Sequence, residues 1–146
     1  MGYKYQTPLV VLLATLDFSD AEKDFLNNNE ACRLATCHDG MPHVVPVSYV
    51  FEYGRFYIAT DYHTKKYENI KHDSRVALVV DVYDSVENKA VSVQGTAEII
   101  ESGEAFARLY GIFFNRFEWV RRDPWDEGEA PFIKISPNKK VSWGLV

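Results

Sequence analysis

One short segment combines hydroxyl, ammonium and amide side chains at spacings that suit a phosphate group. Thr60 ends a strand-like run, Thr64, Lys65 and Lys66 stand near the start of a predicted short helix, and Asn69 follows within a turn. A helix N-terminus offers free backbone N–H groups and the positive end of the helix dipole. Either lysine can share a helix face with Asn69. The segment predicts an anion site, and a solvated basic patch on a surface helix explains the same residues equally well.

A second stretch carries two prolines inside a strand pattern. Pro42 and Pro46 lie in M-P-H-V-V-P-V-S-Y, which predicts an edge strand or a bulge, because proline cannot donate to a central ladder. Exposed carbonyls there suit a flat ligand, and an edge protected against aggregation is the alternative. Gln94 is an uncharged polar residue in the strand-like V-S-V-Q-G. Its amide suits a ring carbonyl or imide, and a solvent-facing position is the alternative.

The sequence has no motif for a metal site or for a catalytic nucleophile. No H-E-x-x-H or other metal-ligand spacing and no serine nucleophile elbow occurs. We therefore expect no metal site and identify no catalytic residue. The histidines concerned are His38, His43, His63 and His72.

The cysteines and tryptophans are expected to have structural roles. Cys32 and Cys37 are five residues apart in a strand-like segment, so their side chains point to opposite faces and do not form a disulfide with each other. Trp119, Trp125 and Trp143 are core or interface anchors unless their positions show otherwise.

Hairpins dominate the predicted elements. A capping box of Ser19 and Glu22 begins a first helix, Asp39-Gly40 makes a tight turn, and Ser102 begins a longer helix. Tyr67 and Ile70 mark the short helix between strands. A polar loop with two arginines is expected at 121–130. There Arg121 or Arg122 attracts an anionic substrate on which Trp125 stacks, or the loop is simply solvated. The predicted strands are 31–38, 41–53, 56–60, 75–83, 90–100, 132–136 and 141–145.

This order predicts a mainly β fold, a barrel with helical insertions. Alternating βαβ units and Gly-rich strand-to-helix turns are missing, which disfavours dinucleotide-binding and P-loop folds. With 47% hydrophobic residues, the 146 residues suffice for one core, so we expect a single domain, 1–146.

Composition also limits the partners. The formal net charge of −5 gives no overall positive field to attract nucleic acid or anionic lipid. The apolar run at 8–16 is far shorter than the ~20 residues of a membrane span, and it lacks the flanks of a secretory signal. We expect a cytoplasmic protein that binds neither membrane nor nucleic acid.

Several short stretches together resemble the pyridoxamine 5′-phosphate oxidase-related superfamily of FMN-binding split barrels. The resemblance runs from about Phe25 to Val146, and the order and spacing of its marks carry it. It implies a split β-barrel of Greek-key type, with 1–18 as an N-terminal extension. The marks are R-L-A-T at 33–36, G-M-P-H-V-V-P-V at 40–47, Y-I-A-T at 57–60, K-x-x-N-I at 66–70, D-S-R-V at 73–76 and V-Q-G-T-A at 93–97.

The resemblance implies a cofactor site for FMN. Gln94 matches a position close to the ring or phosphate, and Trp143 is expected to close the site from the other subunit. The positions that match the holders of the flavin phosphate and ribityl chain are Thr60, Thr64, Lys65, Lys66 and Asn69. The positions that match the strand along the isoalloxazine edge are His43, Val44, Pro46 and Val47.

The resemblance also implies a function class, an FMN-dependent oxidoreductase with an unknown small-molecule substrate or electron donor. The chain ends in S-W-G-L-V, without the Arg-x-His element and terminal Arg-Leu-x-Pro of true pyridoxamine phosphate oxidases, so vitamin B6 oxidation is not expected. Members that use the deazaflavin coenzyme F-420 have similar lysine and asparagine spacing. The alternatives are thus a deazaflavin-dependent reductase and a non-catalytic flavin or haem carrier.

We expect a homodimer with the cofactor site at its interface. The predicted long helix carries more apolar and aromatic residues than a small open barrel needs internally, and Trp143 is expected to join them at the interface. A closed two-fold assembly is the commonest way to cover such a surface. The helix residues are Phe106, Leu109, Tyr110, Phe113 and Phe114.

Overall fold

The computed structural model describes residues 16–146, so most of the predicted extension, 1–18, lies outside the described residues. Helices and strands alternate irregularly along the chain. The helices are α1 (Asp20–Asn27), α2 (Lys65–His72), α3 (Gly103–Arg116) and α4 (Glu118–Arg122). The strands are β1 (Ala31–His38), β2 (Met41–Ser48), β3 (Val50–Glu52), β4 (Arg55–Ala59), β5 (Arg75–Tyr83), β6 (Asn88–Ile100) and β7 (Phe132–Trp143).

The strands form one antiparallel sheet in the order β2-β1-β5-β6-β7-β4-β3. The sheet curls until β2 and β4 come into contact, which gives a split β-barrel and confirms the predicted fold class. β2 is an end strand, as its two prolines predict. Its second edge therefore has no strand partner among the described residues.

Two local signals, the capping box of α1 and the hairpin turn after β1, are confirmed. Ser19 accepts a hydrogen bond from the backbone N–H of Glu22, and the Glu22 carboxylate accepts one from that of Ser19. Asp39 and Gly40 have φ values of 51° and 74°, which a two-residue hairpin turn of the primed type requires. Ser102 precedes α3 but makes no side-chain capping bond.

Three predicted boundaries were wrong. The run 41–53 is two strands, because Tyr49 leaves the ladder, is fully buried and donates its backbone N–H to Glu30. The last two predicted strands form one strand, β7. The register of β6 with β7 shifts between Gln94 and Gly95, and this bulge lets β7 continue through Pro137 without a turn. The expected loop at 121–130 begins inside α4.

Two hydrophobic clusters hold the fold. The first fills the curled sheet and includes Leu26 of α1, Leu34, Phe56 and Val91. The second lies under α3, where Phe113 packs against Phe132 with ring centroids 4.9 Å apart. Phe106, Leu109 and Phe113 are buried there, so only Phe114 of the helix residues expected at an interface is well exposed.

Candidate cofactor site

The N-terminus of α2 has the groups predicted for an anion site. Thr64 is its N-cap, and the Thr64 hydroxyl accepts from the backbone N–H of Tyr67. The hydroxyls of Thr60 and Thr64 hydrogen-bond at 2.9 Å, which ties the end of β4 to the start of the helix. The backbone N–H groups of Lys65 and Lys66 belong to the first turn and so have no intrahelical acceptor.

Lys66 supplies the positive charge at this helix end. Its side chain is half-buried, whereas that of Lys65 is exposed. Burial lowers the pKa of Lys66, and the charge of Asp61 opposes that effect. No ion pair or side-chain hydrogen bond within residues 16–146 involves the Lys66 ammonium. The ammonium is therefore partly desolvated and is suited to an anion from outside the chain.

The Asn69 side chain contacts β1. It is fully buried, and its Nδ2 donates to Thr36 Oγ1 of β1 at 3.0 Å. His43 lies opposite Thr36 in the β1–β2 register. Asn69 Oδ1 and His43 Nδ1 are both buried without a hydrogen-bond partner among the described residues. Two unsatisfied polar atoms therefore lie on either side of Thr36, a placement typical of a site completed by a ligand or water.

The free edge of β2 offers backbone groups. N–H and C=O groups alternate between the two sides of a strand, and the prolines occur where the N–H side faces away from the neighbour. Val44 lies midway between Pro42 and Pro46, so its N–H and C=O also face the free edge. Val44 has a 63% exposed side chain, whereas Val47 packs against the main core.

Gln94 lies in a separate groove on the outer face of the sheet. The register aligns Val44, Ala35, Ala77, Gln94 and Lys139 across five strands. The small alanines make the floor of a cavity of about 710 Å³, which we call the alanine groove. Its other lining residues are Thr36, Cys37, Pro42, Asp73, Arg75, Val76, Gly95 and Asn138.

Three of the predicted site residues line a cavity. Thr60 and Lys66 line a pocket of about 190 Å³, whereas Gln94 lines the alanine groove. Trp143 lines neither cavity, and its indole donates to Asn88 Oδ1 at 2.8 Å. We call the smaller cavity the tryptophan pocket; it is lined by Ala59, Thr60, Asp61, Lys66, Trp119, Asp123, Trp125 and Ala130.

Trp119 and Trp125 line the same pocket as Lys66, which was not predicted from the sequence; only a stacking role for Trp125 on a substrate was suggested. Their rings lie 9° from parallel with centroids 6.2 Å apart. The two arginines of this region have partners within the chain: Arg121 donates to the carbonyls of Phe114 and Asn115, and Arg122 pairs with Glu118. Arg121 thus caps α3, which argues against the suggested role in attracting a substrate.

Within residues 16–146, no three His, Cys, Asp or Glu side chains lie close enough together to hold a metal ion. No helix in that part of the chain has the length and apolar character needed to cross a membrane. A cytoplasmic location stays a prediction.

Comparison with protein families identifies the fold's relatives. The profile described as pyridoxamine 5′-phosphate oxidase matches residues 18–141. The chain belongs to this family. The match includes every predicted site residue except Trp143. No curated protein sequence matches the chain significantly.

Solved structures agree with this assignment. A conserved hypothetical protein from Mycobacterium tuberculosis is 26% identical, with a TM-score of 0.72 over 88% of this chain and 86% of that one. An FAD-binding protein from Mesorhizobium loti is 23% identical, with a TM-score of 0.70 over 86% and 94%. The heme storage protein HutZ from Vibrio cholerae is 14% identical, with a TM-score of 0.73 over 84% and 91%. The last two show a shared fold.

Proposed function

We propose that this protein binds FMN, with the flavin phosphate at the N-terminus of α2, and uses it as an oxidoreductase. The observation that carries the proposal is Lys66, a half-buried ammonium with no anionic partner among the described residues, beside the Thr60 and Thr64 hydroxyls and two free backbone N–H groups. A phosphate supplies charge and acceptor oxygens to all of these groups. The donor set therefore fits the phosphate end of a flavin.

The free edge of β2 suits the other end of the cofactor. The pyrimidine part of a flavin carries two carbonyl oxygens with an N–H between them. The free edge presents the Val44 N–H as a donor and the carbonyls of Pro42, Val44 and Pro46 as acceptors. His43 Nδ1 and Asn69 Oδ1, both buried and without a partner among the described residues, add two polar atoms near Thr36.

The bound flavin would supply hydride or electron transfer, and the protein would supply orientation and electrostatics. Lys66, Thr60 and Thr64 would hold the phosphate, and the β2 edge would orient the ring. Hydride transfer needs proximity and a dry pocket more than a side-chain base. A catalytic residue in this chain is therefore not required.

Two alternatives use the same site. A deazaflavin carries the same phosphate and a similar ring, so Lys66 and the β2 edge suit it equally well. A carrier without catalysis would need the cofactor contacts but no substrate access. Structural neighbours described as FAD-binding and as a heme storage protein support a cofactor-holding barrel in general terms.

The proposed functional unit is a homodimer with the site at its interface. Val44 on β2 is 63% exposed, and Val141 on β7 is 64% exposed. They lie on strands at two sides of the alanine groove, whose floor is apolar. A second copy covering this face would exclude water from both the groove and the β2 edge. Sedimentation at micromolar concentration tests this proposal, and a 16.8 kDa species would contradict it.

The cofactor assignment is tested by the absorption spectrum of the purified protein and mass spectrometry of any released chromophore. Titration with FMN should give stoichiometric binding, and Lys66→Ala should weaken it at least about tenfold, since one charge-assisted bond contributes roughly 1.5–3 kcal/mol. Lys71→Ala, an exposed lysine on the same helix, is the control and should bind normally. A protein that binds neither FMN, FAD nor deazaflavin would refute the proposal.

Catalysis is tested separately from binding. The holo-protein is mixed anaerobically with NADH, NADPH or a reduced deazaflavin, and bleaching of the flavin band is followed. Reduction faster than that of free FMN supports an oxidoreductase. If no donor gives this result, the carrier function replaces it.

A further inference from the structure

The tryptophan pocket has an aromatic wall that the proposed flavin phosphate does not use. Trp119 is 43% exposed, and no hydrogen bond found among the described residues involves its indole. Trp125 stands beside it with a nearly parallel ring. Lys66 and Thr60 line the same pocket, so the aromatic wall begins where the proposed phosphate site ends.

Hydrogen bonds hold the inner tryptophan rigidly. The backbone N–H of Trp125 donates to the Tyr110 hydroxyl, and its indole Nε1 donates to the Ala130 carbonyl, both at 3.2 Å. The Tyr110 ring packs edge-on against Trp125 at 4.9 Å. Trp119 also stacks near Phe117 at 5.9 Å. The wall is therefore a preformed surface for stacking a planar ring, at little cost in ordering.

Size and charge restrict the ligand. A volume of about 190 Å³ is below the roughly 300 Å³ at which sites for drug-sized molecules begin, so the three-ring isoalloxazine does not fit with its substituents. Asp61 and Asp123 also line the pocket and disfavour a further anion beyond the one at Lys66. Their carboxylates accept hydrogen bonds from an amino group. A neutral one- or two-ring heterocycle with an amino group meets all three conditions.

We propose that the tryptophan pocket binds the adenine ring of FAD, stacked on Trp119, in continuation of the flavin phosphate at Lys66. This inference rests on the proposed flavin site and extends it, because it makes FAD the preferred cofactor over FMN. Adenine has the flat face, the size and the amino group that the pocket favours. The Lys66 end of the pocket is the attachment point for the nucleotide phosphates.

The test compares FAD with FMN in wild-type protein and in Trp119→Ala. The wild type should bind FAD more tightly than FMN by tenfold or more, and the substitution should remove most of that difference, since stacking of a base on an aromatic side chain favours binding. FMN affinity should change less than twofold. Trp119→Phe should restore FAD binding in large part. Equal affinity for the two flavins, or equal loss of both in Trp119→Ala, would overturn the inference while leaving the flavin site intact.

Tyr83→Ala is the matched control, because Tyr83 is an exposed aromatic residue outside both cavities. A titration with AMP, followed by tryptophan fluorescence, separates two sources of adenine. AMP that competes with FMN for Lys66 supports the FAD assignment. AMP that binds together with FMN would instead assign the pocket to a separate nucleotide and would contradict the proposal. Binding of AMP but of no flavin would refute the proposed function and the FAD assignment together.

Discussion

The N-termini of α1 and α2 have similar caps, but their first-turn charges differ. Among the described residues, the charged side chain in the first turn of α1 has partners and that of α2 has none. Ser19 caps α1 and Thr64 caps α2, each accepting a backbone N–H three residues later. In α1 the buried Glu22 carboxylate accepts from the Ser19 N–H at 2.8 Å, Lys140 at 2.6 Å and Ser142 at 2.7 Å. In α2 the half-buried Lys66 ammonium has no such partner among the described residues.

The pKa values of the two groups reflect this difference. Burial raises the pKa of Glu22, but hydrogen bonds from Lys140, Ser142 and the Ser19 backbone outweigh it and lower the pKa to about 2. Burial lowers the pKa of Lys66, and the charge of Asp61 offsets only part of the effect. The fold thus stabilises the charge at Glu22 and disfavours the charge at Lys66. The first helix start is a completed structural contact, and the second is suited to a ligand.

The largest expected effect is the loss of stability in Glu22→Ala. This change removes the capping box and leaves the Lys140 ammonium, with a side chain only 22% exposed, without its partner. Breaking a buried pair in this way costs about 3–5 kcal/mol. Denaturant unfolding measures the free energy of unfolding, and Glu104→Ala in the first turn of α3 is the control, since Glu104 is exposed. A loss below about 1 kcal/mol would show that the contact between α1 and β7 does not hold the fold together.

The second prediction concerns the stability of the protein at low pH. The folded-state pKa of Glu22 is depressed from 4.5 to about 2, so its contribution to stability is complete above pH 4.5 and is lost as the pH falls toward 2. The pKa difference corresponds to at most about 3 kcal/mol. Urea unfolding of wild type and Glu22→Gln from pH 7 to pH 3 should show the two stabilities converging. Parallel curves would contradict the assignment of the acid sensitivity to Glu22.

The capping box, which forms much of the contact at the start of α1, could be predicted from the sequence because its two residues are close in the chain. Ser19 and Glu22 are three residues apart, and their spacing alone predicts the reciprocal bonds. Lys140 and Ser142 could not be predicted as partners of Glu22. They lie near the end of β7, and the continuity of that strand depends on a bulge opposite Gly95. Pro137 and Asn138 looked like a turn because the sequence does not show the bulge.

The candidate site shows the same limit. Thr60, Thr64 and Lys66 come together as their spacing predicts, because they lie within one strand end and one helix turn. Asn69 is within one turn of them, yet it bonds to Thr36 of β1, a contact that only the packing of α2 on the sheet determines. Trp119 of α4, far along the chain, lines the same pocket as Lys66. Local spacing predicts contacts within an element, and the topology decides the others.

The third prediction is that removing the Lys66 charge, unlike removing the Glu22 carboxylate, does not destabilise the protein. In Lys66→Met the partly desolvated charge is removed and an apolar chain of similar length fills its place, so the stability of the ligand-free protein should be unchanged or should rise by less than about 1 kcal/mol. FMN binding should weaken at least about tenfold. Thermal unfolding without and with FMN measures both effects, with Lys71→Met as the control. A clear loss of ligand-free stability would make Lys66 a structural residue like Glu22.

The smallest expected effect is a change of FMN affinity in alkali. Because the free protein holds the pKa of Lys66 below 10.5, its ammonium loses its proton at a lower pH than an ordinary lysine does. A bound phosphate favours the charged form, so the pKa of Lys66 should rise on binding and the protein should take up a proton. The flavin phosphate, with a second pKa of about 6, is already fully charged in this range and adds no titration of its own. FMN affinity should therefore fall with rising pH before pH 10.5 in the wild type. Lys66→Met should start from a lower affinity and fall less steeply, because only the N–H of the flavin ring, which also ionises in alkali, still titrates. Calorimetry in two buffers of different ionisation heat measures the proton uptake directly. An equally steep fall in Lys66→Met would mean that another group carries the pH dependence, and Lys66 would then not be the residue that meets the phosphate.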